Sequence, residues 1–100
     1  MTGIEKIVAV RVQGRVQGVG FRAFVQHEAK RLDVRGWVRN RLNGDVEALF
    51  AGPTSAVDSL VAACRRGPDH ARVTDLSVYE PNPDEPSGEP PSGFRLLPTR

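Results

Sequence analysis

The chain has 100 residues, of which 39% are hydrophobic, so its size predicts one small domain with a single modest core. Lys and Arg outnumber Asp and Glu by 14 to 12, for a net charge of +2, and no apolar run approaches the length of a membrane span. One cysteine, Cys64, and two histidines exclude an internal disulfide and a zinc cluster, and without a signal-peptide pattern we expect a cytoplasmic protein.

The N-terminal half predicts two strands and a helix around a glycine-rich segment. Residues 4–12 alternate in the manner of a strand, with Lys6 expected opposite an apolar face of Ile4, Val8, Val10 and Val12. Apolar residues then recur at helical spacing from Phe21 to Leu32. Residues 34–40 and 44–51 read as two strands joined by a turn that contains Asn43 and Gly44.

The C-terminal half predicts a second helix and one or two strands. Thr54 or Ser55 is expected to cap the helix, with Asp58 placed for a capping box, and Gly67 and Pro68 end it. Residues 71–80 form the next strand, and FRLLP from Phe94 can add a short fifth one. Between them, residues 81–93 are rich in proline and acidic groups, which is typical of a solvated loop.

The predicted order is βαββαβ, an α+β ferredoxin-like sandwich in which two helices cover one face of an antiparallel sheet. The first two strands of such a fold run parallel, with the third between them. The residues that follow the first strand are therefore expected to lie near Asn40, at the end of the second.

The run GRVQGVGFR, residues 14–22, has the composition of an anion-binding loop. Gly14, Gly18 and Gly20 allow backbone amides to approach a ligand closely, and the following helix adds its unpaired N–H groups. Arg22 lies in the first turn of that helix and offers donors that match phosphate. The segment lacks the GK[ST] ending of nucleotide-binding loops, so a small phosphate is the expected ligand.

Positive charge surrounds this loop. Residues 11–41 contain eight Lys or Arg against Glu28 and Asp33: Arg11, Arg15, Arg22, Lys30, Arg31, Arg35, Arg39 and Arg41. Such a patch suits a small phosphate compound, a nucleic acid or merely a solvated face, and the glycine loop favours the small anion.

These motifs resemble the acylphosphatase family over nearly the whole chain. One signature runs from Val12 to Arg22, and the other is GWVRNRLNGDVEALFAG from Gly36 to Gly52. The resemblance implies that a carboxylic-phosphoric anhydride is hydrolysed to carboxylate and inorganic phosphate, without metal or cofactor. It also implies that Arg22 and the loop amides bind phosphate and that Asn40 holds the attacking water; the loop comprises Arg15, Val16, Gln17, Gly18, Val19 and Gly20.

The residue types agree with that chemistry. An acyl phosphate releases a carboxylate, a weak base that needs no general acid. Asn40 does not titrate, so it can orient a water but cannot act as a base. We therefore expect a phosphate oxygen to accept the proton of the water, and we expect a monomer that binds inorganic phosphate or sulfate at the loop.

Two positions depart from the family pattern. Asp33 stands where a glycine usually takes the left-handed cap of the first helix, which predicts some loss of stability. Arg41 stands where many members carry a small hydroxyl next to the asparagine, which bears on how Asn40 is oriented.

Other interpretations of the chain remain open at this stage. An anion-binding module of the kind found in larger maturation enzymes would keep the loop without independent turnover. An RNA-binding domain shares the element order, but it needs exposed aromatic rings on the central strands, where this sequence offers only Phe50. Trp37 is expected to pack rather than to bind a ligand, and His27 and His70 are expected to be solvated.

Overall fold

The computed structural model describes residues 5–82 and 90–100. Its elements are β1 (Glu5–Arg15), α1 (Phe21–Leu32), β2 (Arg35–Asn40), β3 (Val46–Pro53), α2 (Thr54–Arg66), β4 (Arg72–Tyr79) and β5 (Phe94–Leu96). The predicted element order and the short fifth strand are confirmed. Residues 83–89 of the predicted proline-rich loop, and Ile4 of the predicted first strand, lie outside the described residues.

The strands form one sheet in the order β4-β1-β3-β2-β5. The pairs β1–β3, β1–β4 and β2–β3 are antiparallel, as the ferredoxin-like prediction requires. However, β5 runs parallel to β2, so the sheet is mixed rather than purely antiparallel. The long connection from β4 to β5 returns the chain to the far edge, beyond β2.

Strand β1 is longer than the alternation predicted, since it continues to Arg15 instead of ending at Val12. An irregularity between Gln13 and Gly14 shifts the register, after which Gly14 pairs with Val73 of β4. The ladder with β4 therefore continues past the apolar part of β1, because a bulge inserts one extra residue without ending the pairing.

Both helices pack on one face of the sheet, where the main core lies. This core combines the alternating valines of β1 with the inner faces of α1 and α2, and Cys64 is buried in it as predicted. Lys6 was expected on the opposite face, but its Nζ lies 2.8 Å from Asp58 on α2. Lys6 has the same parity along β1 as the buried valines, so its side chain reaches the helix layer.

The other face of the sheet has a smaller apolar cluster. Ala9, Trp37 and Leu49 are buried there, and Leu97 packs against them. The guanidinium of Arg39 lies 4.8 Å from the centroid of the Trp37 ring, a favourable cation–π arrangement. Trp37 is only 5% exposed, which confirms that it is a packing residue.

The C-terminal ends of both helices agree with the sequence predictions, whereas the N-cap of α2 does not. Asp33 takes the left-handed conformation at the end of α1, with φ 59°, and Gly67 ends α2. At the start of α2 the N-cap is Pro53, which makes no side-chain cap hydrogen bond. Thr54 and Ser55 are therefore not the N-cap as predicted, because β3 runs directly into the helix at Thr54, and the Asp58 carboxylate pairs with Lys6.

The topology brings the predicted site together. Val12 of β1 pairs with Val46 of β3, which pairs in turn with Asn40 of β2. Two strand spacings place the backbones of Val12 and Asn40 roughly 10 Å apart. The loop after β1 and the end of β2 therefore face each other at one edge of the sheet.

Candidate active site

A pocket of about 240 Å³ opens between the glycine-rich loop, the first turn of α1 and the end of β2. It is lined by Val16, Gln17, Gly18, Gly20, Phe21, Arg22, Ala23, Asn40 and Leu96. The loop, the arginine and the asparagine singled out in the sequence thus share one site.

The three glycines of the motif have different roles. Gly18 and Gly20 have φ values of 73° and 76°, and a Cβ at either position would meet no atom within 4 Å. Their conformation, rather than crowding, requires glycine, and it leaves the backbone open to the pocket. Gly14 was expected to join Gly18 and Gly20 in the cradle, the loop backbone expected to surround the anion. It lies instead in β1, where a Cβ would come 2.1 Å from the carbonyl oxygen of Arg72.

The first turn of α1 closes the pocket beside the loop. Gly20 is the N-cap in a left-handed conformation, and its carbonyl accepts a hydrogen bond from the Phe24 N–H. Phe21 is buried, so it anchors the start of the helix in the core. The helix has no acidic residue in its first turn, so its N-terminal dipole and free N–H groups face the pocket without a competing carboxylate.

Arg22 brings a positive charge to the pocket that no carboxylate of the described residues neutralises. Of the eight basic residues predicted to surround the loop, five pair with carboxylates: Arg11, Arg31, Arg35, Arg39 and Arg41. Within residues 5–82 and 90–100, Arg22 has no such partner and lines the pocket. Its guanidinium is therefore available to an anion.

Asn40 is the last residue of β2 and lies half-buried on the opposite side of the pocket. Its main-chain carbonyl accepts a hydrogen bond of 3.0 Å from the Arg100 N–H. Its side-chain Oδ1 is buried and has no hydrogen-bond partner, alone among buried side-chain polar atoms of the described segments. An unsatisfied buried acceptor costs roughly 1–3 kcal/mol, so this oxygen gains when a donor reaches it.

Arg41, the departure next to Asn40, does not replace the family's hydroxyl. One guanidinium nitrogen of Arg41 lies 3.6 Å from Oε1 of Glu47, and the Oδ1 of Asn40 remains without a partner. The side chain of Arg41 therefore pairs with Glu47, which belongs to a charged row of Arg11, Glu47 and Arg39, rather than holding the carboxamide of Asn40.

That charged row crosses three strands one residue before Asn40. Glu47 of β3 pairs in register with Arg11 of β1 and Arg39 of β2, and its carboxylate contacts both guanidinium groups. Burial alone would raise the pKa of Glu47, but the hydrogen bonds and charges of Arg39, Arg11 and Arg41 together lower it. Glu47 is thus held ionised, and its ion pairs link β3 to β1 and to the end of β2 that carries Asn40.

Two residues of the predicted loop do not line the pocket. Arg15 is the last residue of β1 and is exposed, whereas Val19 packs against the core. Conversely, sequence reasoning did not single out Ala23 or Leu96, which do line it. Leu96 belongs to β5, and only the parallel pairing of β5 with β2 brings it to this edge.

The central strands do not provide the surface that an RNA-binding domain needs. Phe50 is fully buried on the helix side of β3, 6.1 Å from the ring of Phe94. Among the residues that the structure describes, β1 and β3 thus expose no aromatic ring for base stacking. His27 and His70 are exposed, as predicted.

The described part of the chain contains no group of three or more His, Cys, Asp or Glu side chains arranged to hold a metal ion. None of the helices described is both long enough and apolar enough to pass through a bilayer.

Comparison with known proteins identifies the class to which this fold and pocket belong. The acylphosphatase family model matches residues 8–95. An acylphosphatase of Rhodopseudomonas palustris is 56% identical over 91 residues, which cover 90% of this chain and 92% of the relative. The chain belongs to the acylphosphatase family, whose members are hydrolases that act on the acid anhydride of acyl phosphates.

Solved structures agree with this assignment. The acylphosphatase of Bacillus subtilis matches with a TM-score of 0.79 and 38% identity, over 94% of this chain and 99% of that one. An acylphosphatase from Coxiella burnetii matches with a TM-score of 0.81 and 33% identity, over 93% of each chain. HypF of T. kodakarensis also matches, with a TM-score of 0.74 and 26% identity, but over only 12% of its own length and 97% of this chain.

Proposed function

We propose that Arg22 and the backbone amides of residues 15–20 bind the phosphate of a small acyl phosphate, while Asn40 orients the water that attacks it. The observation that supports this most strongly is that one pocket is lined by both Arg22 and Asn40. Among the residues that the structure describes, the Arg22 charge has no carboxylate partner and the Asn40 Oδ1 has no hydrogen-bond donor. One group suits the anion, and the other suits a water molecule.

The phosphate side of the proposal depends on backbone geometry. Val16, Gln17, Gly18 and Gly20 border the pocket, and the start of α1 adds further N–H donors. Arg22 contributes a permanent positive charge and a planar fork of donors. Inorganic phosphate and sulfate present the same tetrahedral oxygens, so both are proposed as ligands and inhibitors.

The water side depends on the carboxamide of Asn40. The carboxamide hydrogen-bonds the attacking water, whose oxygen forms a bond to phosphorus in line with the leaving group. The bond between phosphorus and the acyl oxygen breaks, and its electron pair leaves with the carboxylate. One proton of the water passes to a phosphate oxygen, because Asn40 cannot accept it.

The rate enhancement in this scheme comes from positioning and charge stabilisation, as in other phosphoryl transfers. Arg22 and the loop amides neutralise charge on the phosphate, and the leaving carboxylate requires no acid. We therefore propose that the reaction proceeds without a metal ion or cofactor.

We also propose that the 100 residues act as a single acylphosphatase-like domain, as a monomer in the cytoplasm. The described strands form one sheet, and both described helices pack on the same core. Gel filtration and cell fractionation test these two points independently of activity.

The experiment for the site is the hydrolysis of benzoyl phosphate by the purified chain with a chelator present. Turnover by wild type, and a loss in Arg22→Gln of about 10² to 10³ in kcat/KM, is the expected result. Lys30→Gln is the matched control, because Lys30 is an exposed basic residue on α1 that does not line the pocket. We expect its kcat/KM to stay within twofold of wild type.

Two results would overturn the proposal in different ways. An Arg22→Gln variant within threefold of wild type would remove Arg22 from the phosphate site. A folded wild-type chain that binds phosphate without turnover would instead indicate an anion-binding module, and Arg41 would be the first residue to test.

A further inference from the structure

Gln17 lies in the middle of the glycine-rich loop, but its side chain contacts the turn that follows Asn40. Its Nε2 donates hydrogen bonds of 2.8 Å to the main-chain carbonyl of Arg41 and 2.8 Å to that of Asp45. These carbonyls belong to the two ends of the turn between β2 and β3. A single carboxamide thus links the loop after β1 to the segment that follows Asn40.

The turn does not depend on Gln17 for its own shape. The Arg41 N–H donates to the carbonyl of Asp45 at 2.8 Å, and the Gly44 N–H donates to the carbonyl of Arg41 at 3.1 Å. The Asp45 N–H donates to the Oδ1 of Asn43. Each carbonyl that Gln17 contacts therefore already has a donor within the turn, and Gln17 uses its second lone pair.

The hydrogen bonds of Gln17 affect the distance between the loop side of the pocket and the side that carries Asn40. Val16, Gln17, Gly18 and Gly20 border the phosphate side of the pocket, and Asn40 is adjacent to Arg41 in the chain. Movement of the turn relative to the loop would move the carboxamide of Asn40 relative to the bound phosphate. In-line attack depends on that separation.

We propose that the Gln17 side chain is a positioning residue that holds Asn40, and hence the attacking water, in register with the phosphate. The inference depends on the proposed roles of the loop and Asn40. It assigns the amides around Gln17 to binding and its side chain to alignment. It also explains why glutamine suits this position, since both N–H groups of one nitrogen are used and a carboxylate would oppose two carbonyl oxygens.

The test compares Gln17→Met with wild type in the hydrolysis of benzoyl phosphate. Methionine has a similar length but no donor, so the link is lost while the loop backbone remains. We expect kcat to fall about tenfold or more, since misplacement by about 1 Å can cost 10²-fold. The inhibition constant for inorganic phosphate is expected to stay within threefold, because the cradle is unchanged.

Gln26→Met is the matched control. Gln26 also donates from its Nε2 to a main-chain carbonyl, that of Phe94 at 3.4 Å, but it lies on α1 and does not line the pocket. We expect its kcat to stay within twofold of wild type. Thermal melts of both variants compare losses of stability with losses of rate.

A double mutant tests whether Gln17 acts through Asn40. In the Asn40→Ala background, Gln17→Met is expected to lower kcat by less than a further twofold, because no carboxamide remains to be positioned. The same loss in both backgrounds would overturn the inference, as would a kcat within twofold of wild type for Gln17→Met alone. An equal change in kcat and in phosphate affinity would also overturn it and make the side chain part of the cradle.

Two safeguards keep the test decisive. If Gln17→Met does not fold, Gln17→Asn replaces it, since asparagine keeps the amide but is one methylene too short to reach both carbonyls. If Asn40→Ala retains wild-type turnover, the proposed function itself fails. If Asn40→Ala is inactive and Gln17→Met is not impaired, only the present inference fails.

Discussion

The two sides of the pocket are built in different ways. On the loop side, the backbone of Gly18 and Gly20 is open and the charge of Arg22 has no partner within the described residues. On the turn side, the charges of Arg39 and Arg41 are used on a carboxylate within the protein. Arginines that are close in sequence therefore have separate uses, since an unpaired one can bind an anion and a paired one can hold a strand.

This difference separates binding from positioning. Substitution of the unpaired loop-side charge, as in Arg22→Gln, is expected to change affinity and rate with little change in stability. Substitutions in the charged row behind the turn are expected to lower stability while the chemistry persists in the folded protein. The variants below test that division, beginning with the largest expected effect.

The glycines of the loop-side motif are the first pair to compare. In Gly14→Ala, the new methyl group would approach the Arg72 carbonyl at 2.1 Å, so we expect a loss of about 3 kcal/mol, at the upper end for overpacking. In Gly18→Ala, only the left-handed backbone costs energy, about 1–2 kcal/mol. Urea unfolding measures both, and equal losses would contradict the assignment of Gly14 to the fold and Gly18 to the cradle.

Arg39→Gln is the counterpart of Arg22→Gln on the turn side. Breaking a buried ion pair typically costs about 3–5 kcal/mol, but Glu47 keeps Arg11 and Arg41, so we expect about 2 kcal/mol. Turnover of benzoyl phosphate below the melting temperature is expected to stay within threefold. A large loss of rate with unchanged stability would show that Arg39 acts in the reaction rather than in holding the strands together.

The pH dependence of stability follows from the same carboxylate. The pKa of Glu47 in the folded protein lies below its ordinary value of 4.5, so its stabilising contribution is present above that value. It is lost as the pH falls through the lowered, folded-state pKa. Denaturant unfolding from pH 7 to pH 3 should therefore show declining stability at the acid end.

Glu47→Gln should flatten that acid decline. Some decline should remain, since a hydrogen bond from Arg31 also lowers the pKa of Glu28, on α1. An unchanged decline in Glu47→Gln would show that the charged row does not hold this carboxylate ionised.

The smallest effect is expected at Asp33, which is remote from the pocket. Asp33 is the one residue other than glycine with positive φ among those described, at 59°. Asp33→Gly relieves that strain but adds freedom to the unfolded chain, so a net gain of about 0.5–1 kcal/mol is expected. The melting temperature should rise without a change in kcat, and a fall would contradict this account of the cap.

The sequence was sufficient for the features that depend on local pattern. The alternation of β1, the helical spacing after Phe21 and the turn around Gly44 predicted the elements, and the element order predicted that the loop would face Asn40. The left-handed conformation of Asp33 was expected from the family resemblance, because a glycine usually takes that cap position in the family. These features depend on neighbours within a few residues, or on topology that the element order fixes.

The features that were missed depend on register between distant segments. The strand position of Gly14 requires pairing with β4, and the paired state of Arg39 requires Glu47 in the same row of the sheet. The hydrogen bond from the Gln17 side chain to the Arg41 carbonyl joins residues that are 24 positions apart in the sequence. Lys6 was placed on the wrong face although its parity matches that of the buried valines, so a stricter count along β1 would have corrected it.

The measurement that tests the central claim most directly is made on Asn40→Ala, with turnover and phosphate binding measured on the same preparation. We expect kcat for benzoyl phosphate to fall by about 10² or more, as when one preorganised catalytic donor is removed, while the inhibition constant for inorganic phosphate stays within threefold. That result would show that the two sides of the pocket act separately. Loss of phosphate binding with intact turnover would contradict it.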